Sequence, residues 1–266
     1  MVDFKSIEIR LRWVIKRRNL LDRSMRRYKK LNPLRWRAVV AEDRMSYSLI
    51  TTAIKQPPFD EWALWHAGIV HDLRSILDNA VWVMAHASGA PTKPTKLEFP
   101  IVTDPTKWKE ASKKIVDLNE TARKAIEKLQ PFNLPLNDPV GSTLRILNQL
   151  DIQNKHHAPI ITAVSDKQQF KNERKIIYKV QPESHEETRI KLFPIEFREG
   201  SVVLQELTPK PIEKVEQGNF TGSSHFVIRN ENGAEYPIIG SIDHLIKGVQ
   251  LTLNALGYSS SGDPEN

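Results

Sequence analysis

Apolar positions along the first thirty residues recur at alternating steps of three and four. Phe4, Ile7, Leu11, Val14, Leu21, Met25 and Tyr28 fall on one stripe, the period of an amphipathic helix that needs a partner. Arg18 takes the one stripe position where an apolar residue is expected. Asn32-Pro33 stops the helix, since proline restricts the residue before it and has no N–H for the ladder. Arg35–Ala41 and Met45–Ile54 follow, both rich in β-branched and aromatic residues. Their short connection predicts an antiparallel hairpin, and Gln56-Pro57-Pro58 closes it.

Residues 60–87 predict the helix around which the chain is organised. At about 100° per residue, with His71 at zero, Ser75, Asp78 and Trp82 share its direction and Arg74, Asn79 and His86 flank them. Trp62, Trp65, His66, Ile69, Leu73, Ile76, Ala80, Val83, Met84 and Ala87 take the opposite side. Gly89 stands where a left-handed cap would end the helix. Thr103-Asp104-Pro105 is a start signal, a capping side chain followed by proline. Trp108, Ala111, Ile115, Leu118, Ala122, Ala125 and Leu129 then predict a third long helix, whose mixed lysines and carboxylates read as a solvated face. Asn137-Asp138-Pro139 repeats the start signal for a helix through Val140, Leu144, Leu147 and Leu150. Its stripe turns polar at Asp151 and Asn154, so that its last turn either ends at solvent or faces a polar site.

From Ile160 the pattern changes. Ile160–Val164, Lys175–Val180, Ile190–Phe197, Val202–Leu207, Ser224–Arg229 and Ala234–Ile238 read as strands, and Pro194 gives the third an edge position. Ile242, Leu245, Ile246, Val249, Leu253 and Leu256 form a closing helix, ended by Gly257. Helices first, strands later and a returning helix predict an α+β fold, not an alternating parallel one. The expected organisation is a bundle of about four long helices with the small hairpin over residues 1–157, and an antiparallel region with the closing helix over 158–257. Residues 258–266 form a polar, disordered tail, and the two larger parts interlock as one unit. The hairpin either joins the later sheet or caps the bundle.

Composition sharpens this picture in three ways. The net charge of +7 is unevenly placed: residues 1–37 hold thirteen Lys or Arg against Asp3, Glu8 and Asp22, so the remainder sums to −3. A localised basic surface recruits polyanions. Arg17, Arg18, Arg26 and Arg27 are therefore candidate contacts for RNA or another polyanion, and a solvated cationic face is the other reading. The chain has no cysteine, which excludes disulfide and thiolate chemistry. No apolar run reaches the roughly 18 residues of a membrane span, and the charged N-terminus is unlike a secretory signal. A cytoplasmic location is expected, with a homodimer held open.

The chemistry-bearing side chains gather in two places. His71, Arg74, Asp78 and Asn79 lie on the central helix; Asp151, Asn154, Lys155, His156 and His157 lie at the end of the fourth. Histidine with carboxylate suits a general base oriented by an acid, or a metal such as zinc or manganese. Three readings stay open: a polar lock holding two helices in register, a catalytic or phosphate-binding site, and simple exposure. His71, Arg74, Asp78 and His156 are the catalytic candidates, and Asn79, Asn154 and Lys155 the substrate-binding ones. Neither a cofactor nor a metal is assigned, and phosphate-loop, dinucleotide, zinc-protease and serine-hydrolase signatures are absent. His185, His225 and His244 stand alone and read as structural or exposed.

His71–Asn79 (HDLRSILDN), Phe99–Ile101 (FPI), Leu129–Pro131 (LQP) and Lys155-His156 together resemble a widespread uncharacterised bacterial and phage family. Its members read H-x-L-R-S-x-L-D-[HN], F-P-I, Q-P and D-K-H-R, and the likeness spans about residues 57–157. Members with histidine at the position of Asn79 carry R-x4-H, which is similar to the motif of the HEPN superfamily of helical, often ribonucleolytic domains. The resemblance implies an RNA- or nucleotide-binding protein of a defence or toxin–antitoxin setting, with Arg74 toward phosphate. This chain departs from it at Asn79, Asn154 and His157, so the catalytic histidine of that motif is missing. The alternative class is a non-catalytic interaction or scaffold protein whose polar cluster locks helices together.

Overall fold

The computed structural model describes residues 5–31, 34–89, 91–92, 96–156, 160–165, 171–172, 175–183, 187–193, 198–216, 220–221, 224–229, 233 and 235–258. Among them the protein is α+β, with six helices and several small antiparallel sheets. In chain order the elements begin with α1 (Lys5–Lys30), β1 (Leu34–Val40), β2 (Ser46–Ile54) and α2 (Phe59–Ser88). Helices α3 (Trp108–Ala111), α4 (Glu120–Lys128) and α5 (Pro139–His156) follow. The strands are β3 (Ile160–Ser165), β4 (Lys171–Asn172), β5 (Lys175–Tyr178), β6 (Arg189–Leu192), β7 (Val202–Leu207) and β8 (Ile212–Glu216). Then come β9 (Phe220–Thr221), β10 (Ser224–Arg229), β11 (Glu235–Pro237) and the closing α6 (Ile238–Ala255). No helix among the described residues is long and apolar enough to cross a membrane.

The chain divides into two compact units. One holds residues 1–22, 60–160 and 229–266; the other holds 23–59 and 161–228. In the first unit the stripe of α1 is buried as its spacing predicts, at Ile7, Leu11, Val14 and Leu21. Arg18 stands in that stripe because α6 answers it: its Nε and Nη2 donate to the two carboxylate oxygens of Asp243 at 2.8 and 2.7 Å. Asp22 adds a longer contact at 3.4 Å. Helix α1 runs antiparallel to α2, since Asn79 reaches Ser6 while Arg17 reaches Asp72. Asp138 starts α5 as predicted, its Oδ1 accepting from the N–H groups of Val140 and Gly141.

Helices α5 and α6 approach closely at Gly248. A Cβ there would stand 1.9 Å from Thr143 Oγ1 and 2.4 Å from Thr143 Cβ. Gly248→Ala is accordingly expected to cost about 1–3 kcal/mol by overpacking. Thermal unfolding checks this, and an unchanged midpoint would contradict the close approach. Gly257 closes α6 with φ of 90°, and Tyr258 N–H returns to Leu253 O at 3.0 Å, as a glycine-ended helix requires.

One expected element is not there. Residues 104–129 do not form one long helix but a 3-10 turn (Pro105–Lys107), the short α3, a second 3-10 turn (Ser112–Ile115) and α4. Asp104 caps the start as predicted. The break comes at Asn119, whose extended backbone and side chain, accepting from Ala122 N–H at 2.9 Å, begin a new helix. Ile115 and Leu118 are still buried, so the apolar stripe survives on a chain that bends.

The second unit is built on the predicted hairpin. Strands β1 and β2 pair from Leu34↔Ile54 to Val40↔Tyr47. The hairpin joins the later strands, because β2 pairs antiparallel with β7 in a sheet ordered β1-β2-β7-β6. Strand β6 is an edge of that sheet; Pro194 and residues 195–197 lie outside the described residues. Tyr47, Leu49, Val203, Leu204 and Ile212 form a buried hydrophobic cluster of this unit. Tyr47 donates to Glu206 Oε2 at 2.7 Å, giving that buried carboxylate a partner. Strand β8, which pairs with β5, was not foreseen, because Ile-Glu-Lys-Val-Glu has low strand preference and only pairing makes it one.

Candidate functional site

Helix α2 is buried over a wider arc than its apolar stripe. Trp62, His66, Ile69, Leu73, Ile76, Ala80 and Met84 are buried as predicted, and Val70, Leu77, Val81 and Ala85 join them. This leaves a narrow open strip, on which His71, Trp82 and His86 are exposed while Ser75, Asp78 and Asn79 are half-buried. His86 Nδ1 lies 2.9 Å from Trp82 O, and the two rings stack at 3.8 Å.

Arg74 is the exception, with 7% of its side chain exposed. Its Nη1 donates to Asp78 Oδ1 at 2.6 Å, and its Nη2 to Glu98 Oε1 and to the carbonyl of Phe99, both at 2.7 Å. Asp78 Oδ1 also accepts from Phe99 N–H at 2.8 Å, and Glu98 Oε2 accepts from Lys114 at 2.6 Å. One guanidinium therefore ties α2 to the segment before Pro100, using the planar fork that arginine alone offers. Burial raises the Asp78 carboxyl, and the Arg74 charge and the Phe99 N–H only partly oppose it. Burial pushes Glu98 upward too, but Lys114 and Arg74 outweigh it and hold it below the usual range. Gln130, wholly buried in the third resembling block, accepts from Val102 N–H and donates to Ile126 O, so that block also serves the backbone.

His71 meets α5, though not closely. Its Nδ1 is 3.8 Å from Asp151 Oδ1, with the imidazole exposed and the carboxylate buried. The distance exceeds a hydrogen bond. Asn154 lies half-buried on the same helix, and its amide atoms have no hydrogen-bond partner among the described residues. The side chains of Lys155 and His156, and all of His157, fall outside the described residues. Asn79 donates to Ser6 Oγ at 3.0 Å. Of the two expected clusters, Arg74 is thus joined to Asp78 and to Glu98, whereas His71 only approaches Asp151, at 3.8 Å.

Among the basic candidates on α1, Arg17 pairs with Asp72 at 2.5 Å and Arg18 with Asp243. Arg26 and Arg27, in the other unit, are exposed. His244 is exposed, its Nε2 lying 3.3 Å from Thr143 Oγ1; His185 and the side chain of His225 lie outside what is described. No cluster of three or more His, Asp or Glu suited to a metal occurs among the described residues.

Two features escaped the sequence reading. Glu98 is one: it precedes the FPI block, yet nothing local marks it as an arginine partner. The other is a groove of about 450 Å³ between α1 and α2, lined by Trp13, Arg17, Leu20, Leu64, Trp65 and Gly68. Trp13, Leu20 and Leu64 are 53%, 41% and 69% exposed. Trp13 and Leu20 sit seven residues apart off the buried stripe, a second apolar edge that the first stripe obscures.

Comparison with protein-family models, with curated proteins and with solved structures gives no match.

Proposed function

We propose that this chain is a non-catalytic interaction protein, in which the Arg74 cluster locks α2 in place and the α1–α2 groove receives a partner helix. The observation that carries this reading is the commitment of Arg74. Its guanidinium is buried and bonded to two carboxylates and a carbonyl, which is how a structural arginine is satisfied. Asn79, which stands where the resembling motif has its histidine, is spent on Ser6.

The groove fits an amphipathic helix with acidic flanks. Large exposed apolar side chains gathered in one place mark an interaction face. The α1 edge is cationic, with Arg10 exposed and Lys16 held 4.8 Å over the Trp13 ring. The test uses a synthetic helix with leucines at i and i+4 and glutamate flanks, beside a version with lysine flanks. The acidic peptide is expected to bind at least about tenfold more tightly than the basic one, and Leu64→Glu to abolish binding without loss of fold. Equal binding of both peptides, or binding that survives Leu64→Glu, would overturn the groove assignment.

A second reading, an RNA- or nucleotide-binding protein of HEPN type in a defence setting, keeps some support from the exposed cations Arg10 and Arg27 of α1. It requires retention of RNA that weakens as salt rises.

A further inference from the structure

Another cleft of the first unit lies where the chain bends between the FPI segment and α4. It has a volume of about 940 Å³ and is lined by Lys96, Lys107, Lys113 and Lys114, with Glu98 and Glu110 as its carboxylates. That size falls in the range of small-molecule sites, roughly 300–1,000 Å³. On a straight helix these lysines would be spread around a solvated face. The break at residues 112–119 and the loop bearing Lys96 gather them into one concavity.

The charges do not cancel there. Lys113 pairs with Glu110 at 2.5 Å and Lys114 with Glu98 at 2.6 Å. Lys96 and Lys107 form no ion pair within 4 Å among the described residues. The nearby Asp104 is turned to the N–H and hydroxyl of Thr106. Asn148 of α5, half-buried at the cleft, has an amide without a hydrogen-bond partner among the described residues. Ile101, Val102 and Ala111 give the cleft an apolar floor. Four lysines against Glu98 and Glu110 in the lining, with Asp104 near Lys107, leave a net positive charge on a concave, partly apolar surface, which attracts a compact anion, and the Asn148 amide adds a directed donor.

We infer that this cleft binds a phosphorylated small molecule. Its phosphate oxygens accept from Lys96, Lys107 and the amide of Asn148, and its body rests on Ile101 and Val102. The site is independent of the α1–α2 groove, and its failure would leave the groove reading standing. Lys114 couples the cleft to the interior, because its partner Glu98 is also a partner of Arg74.

The experiment is calorimetric titration of the full chain with inorganic pyrophosphate and, separately, with ADP, at low and high salt. The variants are Lys96→Ala/Lys107→Ala, Asn148→Ala and, as a control away from the cleft, Lys128→Ala. Thermal unfolding confirms that each is folded. Binding is expected to weaken at least about tenfold in the double lysine variant, less in Asn148→Ala, and not in the control. ADP binding more tightly than pyrophosphate would support an organic ligand seated on the floor, and equal affinity a purely inorganic one. No binding of either probe at millimolar concentration and low salt overturns the inference. So does affinity unchanged in the double variant. Tight binding of single-stranded RNA without binding of either small probe also overturns it, in favour of a strand-binding surface.

Discussion

Arg74→Ala is expected to lower the stability of the protein by about 3 kcal/mol. Removing one partner of a buried ion pair typically costs roughly 3–5 kcal/mol, because the charges left behind lose their compensation. Here the low end applies, since Asp78 and Glu98 keep partial access to water. The Phe99 carbonyl loses its side-chain donor as well. Arg74→Lys retains the charge but not the fork, as one ammonium cannot serve three acceptors in the guanidinium plane. It should recover only part of the loss. Chemical unfolding of the three proteins measures this. A destabilisation below about 1 kcal/mol in Arg74→Ala, within the range of ordinary surface changes, would remove the lock.

The second large effect is an acid one. His66 sits fully buried on the apolar side of α2, and neither ring nitrogen has a hydrogen-bond partner among the described residues. Burial alone lowers its pKa from 6.5 to about 4. The unfolded chain therefore takes up a proton as pH falls below 6.5 while the folded one does not, so stability is lost between pH 6.5 and 4. Above that window the residue contributes no pH dependence, and below it the loss is constant. Linkage gives a cost of about 2 kcal/mol by pH 5 and about 3 kcal/mol by pH 4. Since carboxylates also titrate in acid, the informative quantity is the difference between wild type and His66→Leu. The variant should show a flatter stability profile across this window and equal or greater stability at neutral pH, having no buried ring nitrogens to satisfy. Parallel profiles for the two proteins would mean that His66 reaches a proton partner.

The elements that could be read from the sequence were those whose causes are local. The α1 stripe, the hairpin, the apolar stripe of α2 and the capping signals at Asp104 and Asp138 each rest on residues within a few positions of one another. Arg18 shows where that stops: a charge in an apolar stripe is unreadable until α6 brings Asp243 to it from 225 residues away. The stretch 104–129 reads as one helix because its apolar spacing is continuous, and the competing effect is a single capping side chain, Asn119, at a position any helix would tolerate. In the candidate site, Arg74 and Asp78 stand out as candidates on the central helix, four residues apart. Glu98 does not, and it turns a surface pair into an interior junction. The cleft lysines were present in the sequence as a mixed-charge pattern, and only the bend at residues 112–119 makes them neighbours.

A double-mutant cycle tests most directly whether Arg74 is structural. Unfolding free energies of wild type, Arg74→Ala, Asp78→Ala and the double variant isolate the coupling between the two side chains. The lock predicts a coupling of about 1.5–3 kcal/mol, so that the double variant is markedly more stable than the two single losses combined. Additivity within about 0.5 kcal/mol, with a well-folded Arg74→Ala protein, would contradict it and return Arg74 to the list of ligand-binding residues.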